Sequence, residues 1–443
     1  MKKMLFSLLA AGLLWSCNGG PAATTEPTAH PEWTYNTVVY ELNVRQLTPE
    51  SSFARAEAYL PALKELGVDI VWVMPPYPIG VKERKGTLGS YYAISDYCAI
   101  NPEFGTMADF ESFLAKAHEL GLRVILDWVA NHTSPDAKWA AEHADWHVRD
   151  SLGQMVVQYD WTDIAKLDYS NREMRAAMTD AMRFWLAKGV DGFRCDVAGE
   201  IPTDFWREAF AALKADYPDI YLLAEAEKPE LHTDAFDATY AWDFHHLINQ
   251  IAQGEKGVAD LKAYIAHDAE VTPHEAFRLM FTSNHDENSW NGTEFERMGD
   301  AVRCFAALTF VLPNGQPLIY TGQEFGYDHR FEFFEHDPMP SLEPNEWTEF
   351  YRDLCAMRHA HPALASGERG GEIVYLADVP ENVLAFTRTV GDDSVLCLFN
   401  LSTAPVTVEV PERQIVSELE PWGYLIAGKE GCLVHEGRVN AAE

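Results

Sequence analysis

The sequence predicts an α/β protein: a (β/α)8 TIM barrel with a small insertion after its third strand, followed by an antiparallel β domain. Three observations carry this reading. From Thr37 onward, short apolar runs alternate with longer segments of helical period, the pattern of repeated βα units and a parallel sheet. The runs number eight, more than a doubly wound sheet commonly needs in one domain. After a helix near Glu346 to His361 the pattern changes to short alternating runs broken by Gly, Asp and Pro, which read as antiparallel strands.

Residues 1–16 read as a targeting segment. Lys2 and Lys3 precede an apolar run, Met4 to Trp15, too short to span a bilayer. Small Ser16 before Cys17 resembles a bacterial lipoprotein signal, with Cys17 the lipidated first residue of the mature chain; ordinary secretory cleavage near Ala22 or Ala23 is the alternative. Residues 17–32, rich in Gly, Pro, Ala and Thr, read as a flexible tether. The chain is therefore expected to be exported and lipid-anchored, facing the periplasm or the cell surface, with no other membrane contact, and to be a monomer.

The barrel is expected over 33–364. Its strands are assigned to 38–43, 68–74, 122–127, 190–196, 220–225, a weaker stretch near 236–242, 277–284 and 317–322. Helices are expected at 53–66, closed by Gly67, at 107–120, closed by Gly121, and at 172–188. More than sixty residues separate the third strand from the fourth, where one helix needs far fewer. An insertion of about 132–171, rich in Trp, His and Asp, fills the gap, and its modest length points to an open, shallow cleft. The remainder, 365–443, reads as a β-sandwich domain.

Of the 443 residues, 47% are hydrophobic and 23% charged, as in an ordinary globular protein. The net charge of −34, from 68 acidic and 34 basic residues with no basic block, excludes a phosphate-backbone partner, so no nucleic acid is expected. Cys98, Cys195, Cys304, Cys355, Cys397 and Cys432 are scattered and form no close-spaced pair, so they read as mostly free and buried.

In a barrel of this kind the site lies at the C-terminal ends of the strands, where several carboxylates fall together. Asp127 closes the third strand, Asp196 the fourth and Glu225 the fifth, while Asp286 follows the seventh. Each could cap the helix after it. Crowding so many like charges at one rim has no packing rationale, however, because neighbouring carboxylates raise each other's pKa and cost stability. Arg194 and Asp196 share one strand face, since they are two residues apart; taken alone they could be a buried ion pair. Paired carboxylates suit glycosidic bond cleavage, one protonating the leaving oxygen and another meeting the developing cation.

The motifs DWVANH (127–132), GFRCD (192–196), LLAE (222–225) and FTSNHDEN (281–288) resemble the four sequence regions of the α-amylase family, glycoside hydrolase family 13. GSYYAISDY and GQPLIYTGQE resemble its flanking motifs. The resemblance implies Asp196 as nucleophile, Glu225 as general acid and base, with Glu227 its rival, and Asp286 as the carboxylate that holds sugar hydroxyls. Asp127 belongs to the substrate-binding set it implies. His132 and His285 would hydrogen-bond the sugar before the cleaved bond, and Tyr92 would stack on it. Arg194 is expected to keep Asp196 ionised. Trp290 could belong to an outer subsite, and His245 and His246 read as structural. Family members often bind calcium through the Asn of the first motif, here Asn131. Lys166 stands where a second ligand belongs, so no metal or other cofactor is expected.

The expected function is a retaining glycosidase acting on starch, maltodextrin or glycogen-type α-glucans, with the Asp196 and Glu225 carboxyl groups roughly 5 to 5.5 Å apart. A transglycosylase on the same scaffold is the alternative. A non-catalytic glucan-binding lipoprotein is less favoured, since such a protein should have lost Asp196, Glu225 or Asp286.

Overall fold

The computed structural model describes residues 30–429 and the backbone of 433–440. The targeting segment, Cys17 and Cys432 lie outside the described residues. Eight parallel strands close into a barrel: β1 (Val39–Leu42), β2 (Ile70–Val73), β3 (Arg123–Trp128), β4 (Gly192–Cys195), β5 (Tyr221–Ala224), β6 (Ala238–Tyr240), β7 (Phe277–Met280) and β8 (Gly315–Tyr320). Their order round the ring is β1-β8-β7-β6-β5-β4-β3-β2.

Strand periodicity explains how the core becomes a site. Val39, Ile70, Ile125, Tyr221, Leu223, Phe277 and Leu279 belong to one apolar cluster that fills the barrel. Two residues further along, side chains on the same face are Glu41, Trp72, Asp127 and Glu225, so alternation carries polar groups to the upper layer. Asp127 and Arg194 stand opposite each other in the β3–β4 register. Gly192 begins β4 where a Cβ would lie 1.9 Å from the Tyr221 carbonyl oxygen, so any side chain there would push β4 off β5.

The helices follow their local signals. α1 (Phe53–Leu66) starts at Ser52, whose hydroxyl accepts from the Arg55 N–H, and stops at Gly67 with φ 97°. α2 (Met107–Glu119) carries a Thr106–Asp109 capping box, and α3 (Arg172–Leu186) is capped by Asn171. Between β3 and α3, His132–Thr133 pairs with Ala165–Lys166 in a small antiparallel ladder at the base of the insertion. Among the described residues no helix is long and apolar enough to cross a membrane.

Two expectations need correction. The tether assigned to 17–32 ends earlier, because His30 is buried against Phe277, ring centroids 4.3 Å apart, with Nδ1 2.8 Å from Asp237 Oδ1. The cysteines agree with their reading as mostly free and buried: Cys195, Cys304, Cys355 and Cys397 are buried, Cys98 is exposed, and these five are free.

The second correction concerns the C-terminal domain, which is one curled antiparallel sheet rather than a sandwich. It comprises β9 (Ile373–Tyr375), β10 (Val383–Val390), β11 (Asp393–Asn400), β12 (Val406–Val410), β13 (Ile415–Ala427) and β14 (Leu433–Asn440). Their order is β9-β10-β11-β13-β12, with β14 also pairing β13. Leu384, Phe386, Cys397 and Phe399 face the main core, while Val383, Ala385, Leu396 and Leu398 close a second cluster. Buried Arg388 fastens the sheet to the barrel by donating to the carbonyls of Val311, Leu312, Ala365 and Gly371.

Candidate active site

A cavity of about 490 Å³ opens at the C-terminal ends of the strands, lined by Asp196, Glu225, Asp286, His285, His132 and Tyr92 among others. The three carboxylates read from the sequence therefore face one hollow. None of them makes a helix-capping bond: Asp286 sits at the N-terminus of the one-turn π-helix Glu287–Asn291 without one.

Arg194 is the hub beneath them. Its Nη1 donates to Asp127 Oδ1 (2.9 Å) and Asp196 Oδ1 (3.1 Å), its Nε to the Tyr240 hydroxyl (3.1 Å), and its Nη2 lies 2.9 Å from Glu225 Oε2. One cation is shared by three carboxylates, of which Asp127 and Asp196 are buried and Glu225 is partly exposed. Arg194 lowers the Asp196 pKa, as expected of a neighbouring cation, but does not decide it. Burial and the neighbouring Glu225 charge push Asp196 well above the usual carboxylate range, and the guanidinium offsets only part of that. Burial also raises Glu225. The two carboxyls titrate as a pair, so one proton is readily held between them.

Val197 orders that pair. It adopts φ 37° and ψ 44°, a left-handed conformation costly for a β-branched residue, and its N–H donates to Glu225 Oε2 at 2.7 Å. Oε2 is thus held by a donor and a cation, which leaves Oε1 for the proton.

Tyr92, Asp127 and His285 form the adjoining wall. The Tyr92 hydroxyl donates to Asp127 Oδ2 (3.0 Å), which also accepts from Trp72 Nε1 (3.1 Å), and lies 2.7 Å from His285 Nε2. Burial drives His132 down to about 3, so its ring is neutral. Asn131 Nδ2 donates to Gln158 Oε1 (2.8 Å), and Gln158 Nε2 to Glu200 Oε2 (3.0 Å). Lys166 pairs with His132 in the ladder beside them. Among the described residues no three His, Cys, Asp or Glu side chains are grouped to hold a metal. The Lys166 ammonium does not fit calcium, which asks for about six to eight oxygen ligands.

Glu227, the rival acid, is outside the cavity lining. It pairs with Arg278 and accepts from the Asp243 N–H at 2.8 Å. His245 is buried between the Phe281 carbonyl and Glu287, while half-exposed Trp290 lines the cavity rim against Phe333 and Phe334, centroids 5.1 and 5.7 Å away.

Sequence reasoning missed Glu41. It is fully buried on β1, with Oε1 2.5 Å from His285 Nδ1. Burial works against a charged His285 ring, but Asp286 and Glu41 overturn that and lift it from 6.5 to about 9. Because the folded value exceeds the unfolded one, this ionisation stabilises the fold fully below about pH 6.5 and is lost as pH rises through about 9. Glu41→Gln should move the His285 titration back toward 6.5, read from its imidazole resonances. A ring still titrating near 9 would assign the shift to Asp286 alone.

Residues 58–146 and 141–348 match the alpha amylase catalytic domain, and 374–426 match the maltogenic amylase C-terminal domain. Alpha-amylase MalA of Haloarcula japonica is 30% identical over 430 residues, which is 94% of this chain but 62% of that protein's length. Neopullulanase 2 of Thermoactinomyces vulgaris is 30% identical over 411 residues, 84% of this chain and 67% of its own. The crystal structure of an alpha-amylase from Lactobacillus plantarum superposes with a TM-score of 0.79 at 32% identity, covering 90% of this chain and 97% of that one. With its barrel matched to the catalytic domain and a relative aligned along nearly its whole length, the chain belongs to the alpha-amylase family.

Proposed function

We propose that this protein is a retaining glycosidase that cleaves α-glucosidic bonds in starch, maltodextrin or glycogen-type glucans. The observation that carries the proposal is the convergence of Asp196, Glu225 and Asp286 on one sugar-sized hollow above Arg194. The names of relatives, amylases and cyclomaltodextrinases among them, agree with it.

In the first step Asp196 attacks the anomeric carbon while Glu225 gives its proton to the glycosidic oxygen, so the carbon–oxygen bond breaks and a glycosyl ester forms. In the second, Glu225 takes a proton from water as that water attacks the anomeric carbon, which returns Asp196 to the carboxylate. Asp286, partly exposed beside His285, is placed to hold hydroxyls of the ring as positive charge develops. Neutral His132 and the Tyr92 ring supply a hydrogen bond and an apolar face without adding charge. A sugar hydroxyl arriving in place of water gives transfer rather than hydrolysis.

Proton NMR of early maltoheptaose digests tests this reading, with the α-anomer expected to form first and relax to the mixture. Accumulation of the β-anomer would rule retention out.

Two further expectations accompany it. We propose that calcium plays no part, so a chelator should leave both rate and Tm unchanged; a fall in either on chelation, restored by calcium, would contradict this. We also propose lipid anchoring at Cys17, supported by the sequence alone. Cys17→Ala should then move the protein from the membrane to the soluble fraction, and a soluble parent would count against it.

A further inference from the structure

The segment between β2 and α2 does more than deliver Tyr92. Its stretch 80–89 is fastened to both walls of the cleft. Toward the chain after β8, the Leu88 N–H donates to the Phe334 carbonyl (3.0 Å), the Thr87 N–H to Glu335 Oε1 (2.8 Å), and Arg45 Nη1 holds the Gly89 carbonyl (3.0 Å). Toward the insertion, the N–H groups of Val81 and Lys82 both donate to Asp136 Oδ2 at 3.0 Å. Lys85 reaches further, its Nζ 3.3 Å from both the Asp160 carbonyl and Asp163 Oδ1. Asp163 is buried, so this pair is screened less than a surface one.

Lys85, Asp160, Asp163 and Phe334 line the same cavity as the catalytic carboxylates. The strut therefore ties the loop after β8 to the insertion at one end of the cavity, narrowing a cleft that the short insertion alone would leave open. Chemistry gives the direction. Glu225 protonates the leaving oxygen, so the departing sugar lies on its side, and the sugar attacked at its anomeric carbon lies on Tyr92, His132 and His285. Tyr92 belongs to the same segment as Lys85. The closed end is thus the one that receives the non-reducing part of the chain.

Resting on the glucan-cleaving reading above, we propose that the Lys85 strut makes the site blind beyond a few glucosyl units, so that the enzyme removes short units from non-reducing chain ends. An internal stretch of a long glucan would need to run on through the space the strut occupies. A chain end needs only to enter. One ammonium proton of Lys85 beyond those directed at Asp160 and Asp163 is available to a terminal hydroxyl.

The test uses the full-length protein on amylose and on maltoheptaose labelled at its reducing end. Iodine staining is followed against new reducing ends, beside an enzyme known to cut mid-chain. The expected result is reducing ends accumulating with little loss of staining, and label staying in the longer remainder. Lys85→Ala and a variant with 82–88 replaced by a short glycine linker, each checked for an unchanged melting transition, should lose staining several-fold faster per bond cut. A parent that loses staining as fast as the mid-chain enzyme overturns the inference but leaves the glycosidase reading standing. So does a parent confined to chain ends whose two variants keep the same pattern, since the strut would then not be the cause. Failure to release sugar from either substrate sinks the glycosidase reading and this inference with it.

Discussion

Asp196→Asn is expected to lower kcat by about 10⁴- to 10⁶-fold while leaving the fold intact, because on the proposed mechanism it removes the atom that bonds the sugar rather than one that holds the barrel. The stability side of the prediction follows from the charge arrangement. Folding raises the Asp196 pKa through burial and the Glu225 charge, so the folded site binds a proton more readily than the unfolded chain does. A carboxyl raised in this way costs stability as pH rises through the window between its unfolded and folded values. A neutral amide of the same shape ends that cost, and Arg194 keeps Asp127 and Glu225 as partners. The Tm should hold or rise by up to about 2 °C at neutral pH. Calorimetry and rate measured on one preparation check both halves. A rate within tenfold of the parent would remove Asp196 from its role, and a large fall in Tm would recast it as structural.

Glu225→Gln should lower kcat on maltooligosaccharides by about 10² to 10⁴-fold, the usual worth of a positioned acid and base. Its signature is dependence on the leaving group. An aryl maltoside whose phenolate departs without protonation should still form the glycosyl ester at near-parental rate, leaving the second step limiting. Azide, which needs no base, should then restore turnover and give the α-glycosyl azide by attack from the face that Glu225 guards. Equal loss on activated and natural substrates, with no azide effect, would show that Glu225 acts by shape or charge alone. Glu227 serves as the control, since its carboxylate is engaged by Arg278 and the Asp243 N–H.

Strand and helix positions were legible wherever one local rule governed them. Buried parallel strands read as continuous apolar runs, and α1 kept its bounds because Ser52 and Gly67 mark both ends. The C-terminal sheet misled for an equally local reason. Pro421, Trp422 and Gly423 look like a turn, yet β13 runs through them, with Trp422 at φ 59° and a register shift between Leu419 and Tyr424 absorbing the irregularity. The three carboxylates were legible because each ends a strand or follows one. Glu41 was not, because in VYEL it is one acid in an apolar run and only barrel closure sets it against His285 from β7's far end, 244 residues away in sequence. The Arg194 expectation was incomplete for the same reason: sequence spacing pairs it with Asp196 alone, whereas the ring adds Asp127 and Glu225 from its two flanking strands.

On the proposed mechanism Asp196 carries the sugar between two half-reactions. A fluorinated maltosyl fluoride that forms the ester quickly and releases it slowly lets mass spectrometry read the attachment point on a digested sample. The arrangement predicts one added maltosyl unit per chain, on the peptide containing Asp196 and absent from Asp196→Asn. Label on Glu225 or Asp286, or turnover of the reagent with no adduct on any peptide of an active preparation, would contradict it.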